Sequence, residues 1–146
     1  MTLASVRPDD WNFSLLLHVL GAMVFVGVLA AVTVLLVVSL RSEDRRGVLR
    51  LAFRTLLIGG IPAYLVLRGA AEWIADEEEL PEDLAWVDIG YMVTDIGLLL
   101  LIAATVMSGL AARRGGGGLV RPTAALTLIL IAASAVALWA MTAKPT

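Results

Sequence analysis

The chain has 146 residues, of which 60% are hydrophobic and only 16% are charged. A water-soluble domain contains about 45–50% apolar and about 25% charged residues, and a small globule has no interior for such an excess. The formal charge of −2 does not favour a nucleic-acid partner, and the lack of cysteine excludes disulfides and thiolate metal sites. The composition therefore predicts an integral membrane protein whose surroundings are the lipid bilayer.

Four apolar stretches are long enough to cross the hydrocarbon core, which takes about 20 helical residues. They are continuous and much longer than barrel strands of about ten residues. The first exceeds the about 7–15 apolar residues of a signal peptide, so we expect it to remain as a span. The pattern predicts an all-α fold, an up-down bundle of four transmembrane helices in a single membrane domain (1–146), with spans at about 12–40, 51–73, 86–112 and 119–142.

The distribution of basic residues predicts the orientation, because lysine and arginine are enriched in cytoplasmic loops. The tails contribute Arg7 and Lys144, and the second connector contributes none. The first and third connectors hold eight arginines: Arg41, Arg45, Arg46, Arg50, Arg54, Arg113, Arg114 and Arg121. We therefore expect a multi-pass protein of the bacterial plasma (inner) membrane, with the N- and C-termini and the acidic second connector outside.

Ionisable side chains within the spans indicate a structural or functional role, because inserting each one into the bilayer costs about 2.5–3.5 kcal/mol. His18, Arg68 and Asp95 lie in three different spans, at similar depths of roughly 8–14 Å below the outer boundary. Tyr91 shares a helix face with Asp95 at a spacing of four. These four residues predict a polar pocket in the outer half. The alternative is an Arg68–Asp95 ion pair that only locks the second span to the third.

The second span is interrupted near its middle by Gly59, Gly60 and Pro62. Proline lacks the N–H that would bond to the carbonyl four residues earlier, so we expect a kink at this point. Discontinuous helices border binding sites in transporters, although proline kinks also occur in membrane helices without such a role.

His18 is the single histidine, and it has several interpretations. It is a core residue that makes one hydrogen bond, or it is a ligand of haem or a contact of quinone. A haem bound by two histidines is excluded within one chain. The sequence contains no pattern typical of a catalytic centre and no spacing typical of a metal site, so we expect neither.

The segment around His18 reads LHVLGAMVFVG, within Ser14–Gly27. It resembles the first helix of small four-span bacterial membrane proteins of unknown function, which are distantly similar to the CopD and HemJ-like membrane proteins. HemJ-like proteins pair a first-helix histidine with a lysine in a later helix for protoporphyrinogen oxidation. His18 matches the first position, but the single lysine is Lys144 in the tail. The resemblance therefore implies the fold without that chemistry.

Three functions remain open from the sequence. The favoured one is a binding or accessory component, without an enzymatic reaction, that uses the outer-half polar pocket. The second is a membrane redox protein that binds haem or quinone at His18. The third is a small transporter or ion-conducting protein that uses the interrupted second span as a homo-oligomer. A role inside a larger membrane complex is compatible with the first.

Overall fold

The computed structural model describes residues 11–77 and 85–143, and the regular structure in these ranges is helical. The elements are α1 (Trp11–Ser39), α2 (Arg45–Arg54), a π-helical segment (Thr55–Gly60), α3 (Ile61–Glu77), α4 (Ala85–Arg114), a 3-10 turn (Gly117–Leu119) and α5 (Val120–Ala143). Because α2, the π-helical segment and α3 are continuous, they form one span. Four helical spans are long and apolar enough to cross a membrane, which confirms the predicted all-α, four-span class.

Consecutive spans are neighbours, and α5 closes the ring by packing against α1. At one end of the bundle, the Ser14 hydroxyl near the start of α1 donates to Glu77 Oε2 at the end of α3, at 3.0 Å. Towards the other end, the hydroxyls of Thr33 and Thr127 lie 2.7 Å apart. The spans therefore run antiparallel, up and down. We call the end with Glu77 the acidic end and the end with the α1–α2 loop (residues 40–44) the basic end.

The second span is longer than the sequence indicated, because helix begins at Arg45 rather than near Leu51. Asp44 caps α2, and its Oδ1 accepts the backbone N–H of Gly47 at 3.0 Å. Leu49 and Ala52 on one side of α2 are fully buried. Four of the five arginines that the sequence assigned to the first connector thus lie on a helix whose other face is in the core.

The apolar core is not evenly distributed along the bundle. On α1 it uses Phe25, Leu29, Val32 and Leu36, whose alternating spacing of four and three keeps them on one helix face. The second span contacts α4 mainly through α2, whereas α3 packs on α1 and approaches α4 at few points. The bundle is therefore tightly packed at its basic end and separated between α3 and α4 at its acidic end.

The turn between α4 and α5 needs glycine. Gly115, Gly116 and Gly117 have φ angles of 72°, 109° and 66°, in the left-handed region that side chains disfavour. The N–H of Gly116 donates to the carbonyl of Ala111 at 2.7 Å and closes the end of α4. The glycine run therefore forms a defined helix cap between the last two spans.

The backbones of α1 and α3 approach each other closely at Gly21 of α1. A Cβ atom there would lie 2.9 Å from the backbone nitrogen of Leu67 and 3.0 Å from its Cα. Both obstacles are main-chain atoms, so they cannot rotate away. Only glycine lets α1 and α3 meet at this distance, as small residues do where membrane helices pack closely.

We expect Gly21→Ala to lower the stability of the folded bundle, since overpacking of this kind costs about 1–3 kcal/mol. The matched control is Gly27→Ala on the same helix, where a Cβ would meet nothing within 4 Å. Thermal unfolding in mild detergent measures both. Gly27→Ala should keep or raise the melting temperature, because alanine favours helix by about 1 kcal/mol over glycine. Equal melting temperatures would show that the α1–α3 contact tolerates a side chain.

Candidate functional site

Polar side chains bridge the separation between α3 and α4 in the acidic half of the bundle. The hydroxyl of Tyr64 on α3 donates to the backbone carbonyl of Thr94 on α4 at 2.7 Å. Tyr64 is buried and packs edge-on against Phe25 of α1, with ring centroids 5.8 Å apart. This tyrosine therefore connects α1, α3 and α4 at the point where the space between α3 and α4 begins.

Arg68 lies one helical turn after Tyr64 and is the centre of the site. Its Nη2 is 2.8 Å from Glu72 Oε1 and 3.5 Å from Asp95 Oδ1. Its Cζ lies 4.7 Å from the centroid of the Tyr91 ring, and the Tyr91 hydroxyl donates to Glu72 Oε2 at 3.3 Å. We call Arg68, Glu72, Tyr91 and Asp95 the polar cluster. It combines two ion pairs with a cation–π contact.

The polar cluster has one cationic and two anionic side chains. Glu72 makes the shorter contact with Arg68, and the Asp95 side chain is 69% exposed, against 26% for Arg68. Asp95 also lies nine residues after Trp86, which corresponds to about 14 Å of helix. A carboxylate at this depth is costly against hydrocarbon. Asp95 is therefore the group of the cluster that most needs a further partner.

The structure brings together three of the four residues that the sequence assigned to the pocket, namely Arg68, Tyr91 and Asp95. His18 lies on the neighbouring α1–α3 contact, where its Nδ1 is 3.3 Å from the carbonyl oxygen of Leu67. Within residues 11–77 and 85–143, no hydrogen bond or ion pair joins His18 to the polar cluster. A proton on Nδ1 would bond to this carbonyl and leave Nε2 with its lone pair.

No protein-family model matches the chain. Comparisons with curated proteins and with solved structures find no match either. In the part of the chain that the structure describes, no group of three or more histidine or acidic side chains is placed to hold a metal ion. The resemblance of the His18 segment to CopD and HemJ-like proteins, and the binding of haem or quinone there, stay predictions.

The interruption of the second span takes the form of a wide helical turn. The N–H of Ile61 bonds to the carbonyl of Leu56, five residues earlier, in the π-helical pattern. Gly59 and Gly60 end this turn beside Val28 of α1, where a Cβ on Gly59 would lie 3.1 Å from a valine methyl. Pro62 follows directly after this turn, inside the continuous helix, and has no N–H to bond to an earlier carbonyl. The break thus lies just before the helix that carries Arg68.

Two members of the site were not singled out from the sequence. Glu72 stands four residues after Arg68, the spacing at which opposite charges meet on a helix. Tyr64 stands four residues before Arg68, on the same face of α3. Its partner is a backbone carbonyl. Helix spacing pointed to Glu72, whereas a main-chain acceptor has no signature in the sequence.

Double-mutant cycles on thermal unfolding in detergent can test which of the two carboxylates interacts more strongly with Arg68. We expect a larger coupling energy for Arg68 with Glu72 than for Arg68 with Asp95, because the first contact is 2.8 Å and the second 3.5 Å. Both should be below the about 3–5 kcal/mol lost on breaking a fully buried pair, since the Glu72 side chain is 48% exposed. The substitutions are Arg68→Gln, Glu72→Gln and Asp95→Asn.

Asp88→Asn is the matched control, since Asp88-Ile89-Gly90 repeats as Asp95-Ile96-Gly97 one heptad later on α4. Asp88 makes no ion pair in the described ranges, so its coupling with Arg68 should be near zero. Equal coupling of Arg68 to Glu72 and Asp95 would contradict the order inferred from the distances.

Proposed function

We propose that the chain is a binding component of the bacterial plasma membrane that takes a lipophilic organic cation at Asp95, between α3 and α4. The observation that carries this proposal is the exposed Asp95 carboxylate, which shares its cationic neighbour Arg68 with a closer carboxylate, that of Glu72. A positively charged group next to Asp95 would balance the second negative charge of the polar cluster. In a region of low dielectric constant such a contact is stronger than in water.

The surroundings of Asp95 favour a cation with an apolar body over a small hydrated ion. Met92 and Leu99 stand three residues before and four residues after Asp95, so the three share one face of α4. Their side chains are 62% and 68% exposed. Apolar groups of a ligand would contact this face while its charge meets the carboxylate. The separation of α3 from α4 leaves access from the side of the bundle.

The proposal predicts that the purified protein binds tetraphenylphosphonium, a monovalent cation with an apolar surface, in an equilibrium titration in mild detergent. Asp95→Asn should weaken binding at least about tenfold, since loss of the charge contact removes about 1.4 kcal/mol or more. Arg68→Gln should strengthen binding, because it removes the cation that competes for the same carboxylate. A purely structural cluster would not produce these opposite effects.

Asp88→Asn is the control for this titration, because it removes the same charge from the same helix outside the polar cluster. It should bind tetraphenylphosphonium like the wild type. Each variant is compared only after its melting temperature shows that it is folded. Unchanged binding by Asp95→Asn, or equal losses in Asp88→Asn and Asp95→Asn, would contradict the proposed site.

We also propose the orientation in which both termini and the acidic end face outward and the basic end faces the cytoplasm. The eight arginines of the first and third connectors support it. The chain contains no cysteine, so single-cysteine variants need no prior removal of native thiols.

In intact cells, a membrane-impermeant maleimide should label Asp76→Cys, near the end of α3. It should label Glu43→Cys, in the α1–α2 loop, only after the cells are permeabilised. Both native side chains are exposed, so a difference in labelling reports the side of the membrane. The reverse labelling pattern would contradict this orientation.

A further inference from the structure

The basic end contains a second polar feature, a groove between α2 and α4 with a volume of about 480 Å³. This volume lies within the about 300–1,000 Å³ of sites that bind small molecules. Its walls include Arg50, Phe53 and Arg54 from α2 and Val106, Gly109 and Arg113 from α4. We call it the basic groove. It lies in the other half of the bundle from the polar cluster and is independent of the proposed cation site.

The shape of the basic groove depends on a glycine opposite an aromatic ring. A Cβ on Gly109 would lie 3.1 Å from the ring of Phe53, so the ring packs directly against the backbone of α4. Arg50 stands one helical turn before Phe53 and one helical turn before Arg54, and all three line the groove. The ring thus gives the groove an apolar wall next to basic side chains.

Three arginines give the basic groove its positive charge. In the described ranges, no carboxylate forms an ion pair with Arg50, Arg54 or Arg113. Asp44, an acidic residue at the same end, caps α2 by accepting the N–H of Gly47. Arg50 and Arg54 also repel each other, since like charges four residues apart destabilise a helix. An anion between the arginines would relieve this repulsion.

The position of the basic groove along the helices indicates the kind of anion. Arg113 lies in the last turn of α4, where the apolar span ends, and is exposed. Val106 stands seven residues earlier, about 10 Å deeper in the span. The groove therefore changes from basic to apolar along the direction in which a phospholipid changes from phosphate to acyl chain.

We infer that the basic groove binds an anionic phospholipid, with its phosphate between Arg50, Arg54 and Arg113 and an acyl chain against Phe53 and Val106. Arginine suits this role, because its guanidinium donates two parallel hydrogen bonds to phosphate oxygens. The groove discriminates against zwitterionic lipids, whose own ammonium group would lie among three like charges. Basic pockets between spans are a recognised form of anionic lipid site.

The test compares binding of phosphatidylglycerol and phosphatidylcholine to the detergent-purified full chain, measured by native mass spectrometry and by the shift in melting temperature. The wild type should bind phosphatidylglycerol more tightly and should be stabilised by it. The triple variant Arg50→Gln, Arg54→Gln, Arg113→Gln should bind it about a hundredfold more weakly, because each arginine contributes about fivefold at an anionic lipid surface.

A second triple variant, Arg41→Gln, Arg114→Gln, Arg121→Gln, controls for net charge. It removes three arginines from the same end of the chain, and none of them lines the groove. It should retain phosphatidylglycerol binding within about threefold of the wild type. If both triple variants lose the same affinity for phosphatidylglycerol, the lipid binds to a diffuse basic surface rather than to the groove, and the inference is wrong.

Val106→Phe tests the acyl-chain part of the groove without changing charge. It should weaken phosphatidylglycerol binding and leave any binding of inorganic phosphate unchanged. If inorganic phosphate alone protects the protein from unfolding as well as the lipid does, the groove is a site for a free anion and the lipid assignment is wrong. If the groove triple variant does not fold, the wild-type lipid preference and Val106→Phe still decide the question.

Discussion

The close contact between α1 and α3 at Gly21 determines where the bundle is packed and where it is separated. Main-chain atoms of the two helices meet there, and His18 adds a contact to the Leu67 carbonyl on the same helix pair. Because α3 is held against α1, it is not also close to α4. Long polar side chains, from Tyr64 to Glu72, reach across the remaining distance. The polar cluster is thus a consequence of how the apolar helices pack.

Both candidate sites lie between the second span and α4, while α1 packs with the second span and with α5 through the apolar core. In the acidic half two carboxylates surround Arg68, and in the basic half three arginines line the groove, none of them in an ion pair with a carboxylate of the described ranges. The two sites therefore favour ligands of opposite charge. The second span and α4 carry the side chains of both candidate sites, and α1 and α5 pack against these two spans.

Sequence reasoning predicted the features that depend on length, hydropathy and depth. The four spans follow from apolar runs, and the proximity of Arg68 and Asp95 follows from their similar depth on adjacent helices. Sequence reasoning missed the features that depend on which helix faces pack against each other. Glu72 belongs to the cluster because its side chain meets Arg68 one helical turn earlier on α3, which continues to Glu77. The basic groove needs the rotation of α2 relative to α4, and the His18 contact is to a main-chain oxygen.

The π-helical segment divides the second span into two helices, α2 and α3, whose side chains do not follow one regular helical repeat. A π turn contains one residue more than an α turn, and each residue of an α-helix turns the chain by about 100°. In a regular α-helix Arg50 and Arg68 would lie on the same face, since the eighteen residues between these positions make about five whole turns. The wide turn at Thr55–Gly60 changes the rotation of α3 relative to α2, and α2 packs on α4 whereas α3 packs mainly on α1. Loss of a single residue there would misalign one site without disturbing the hydropathy of the span.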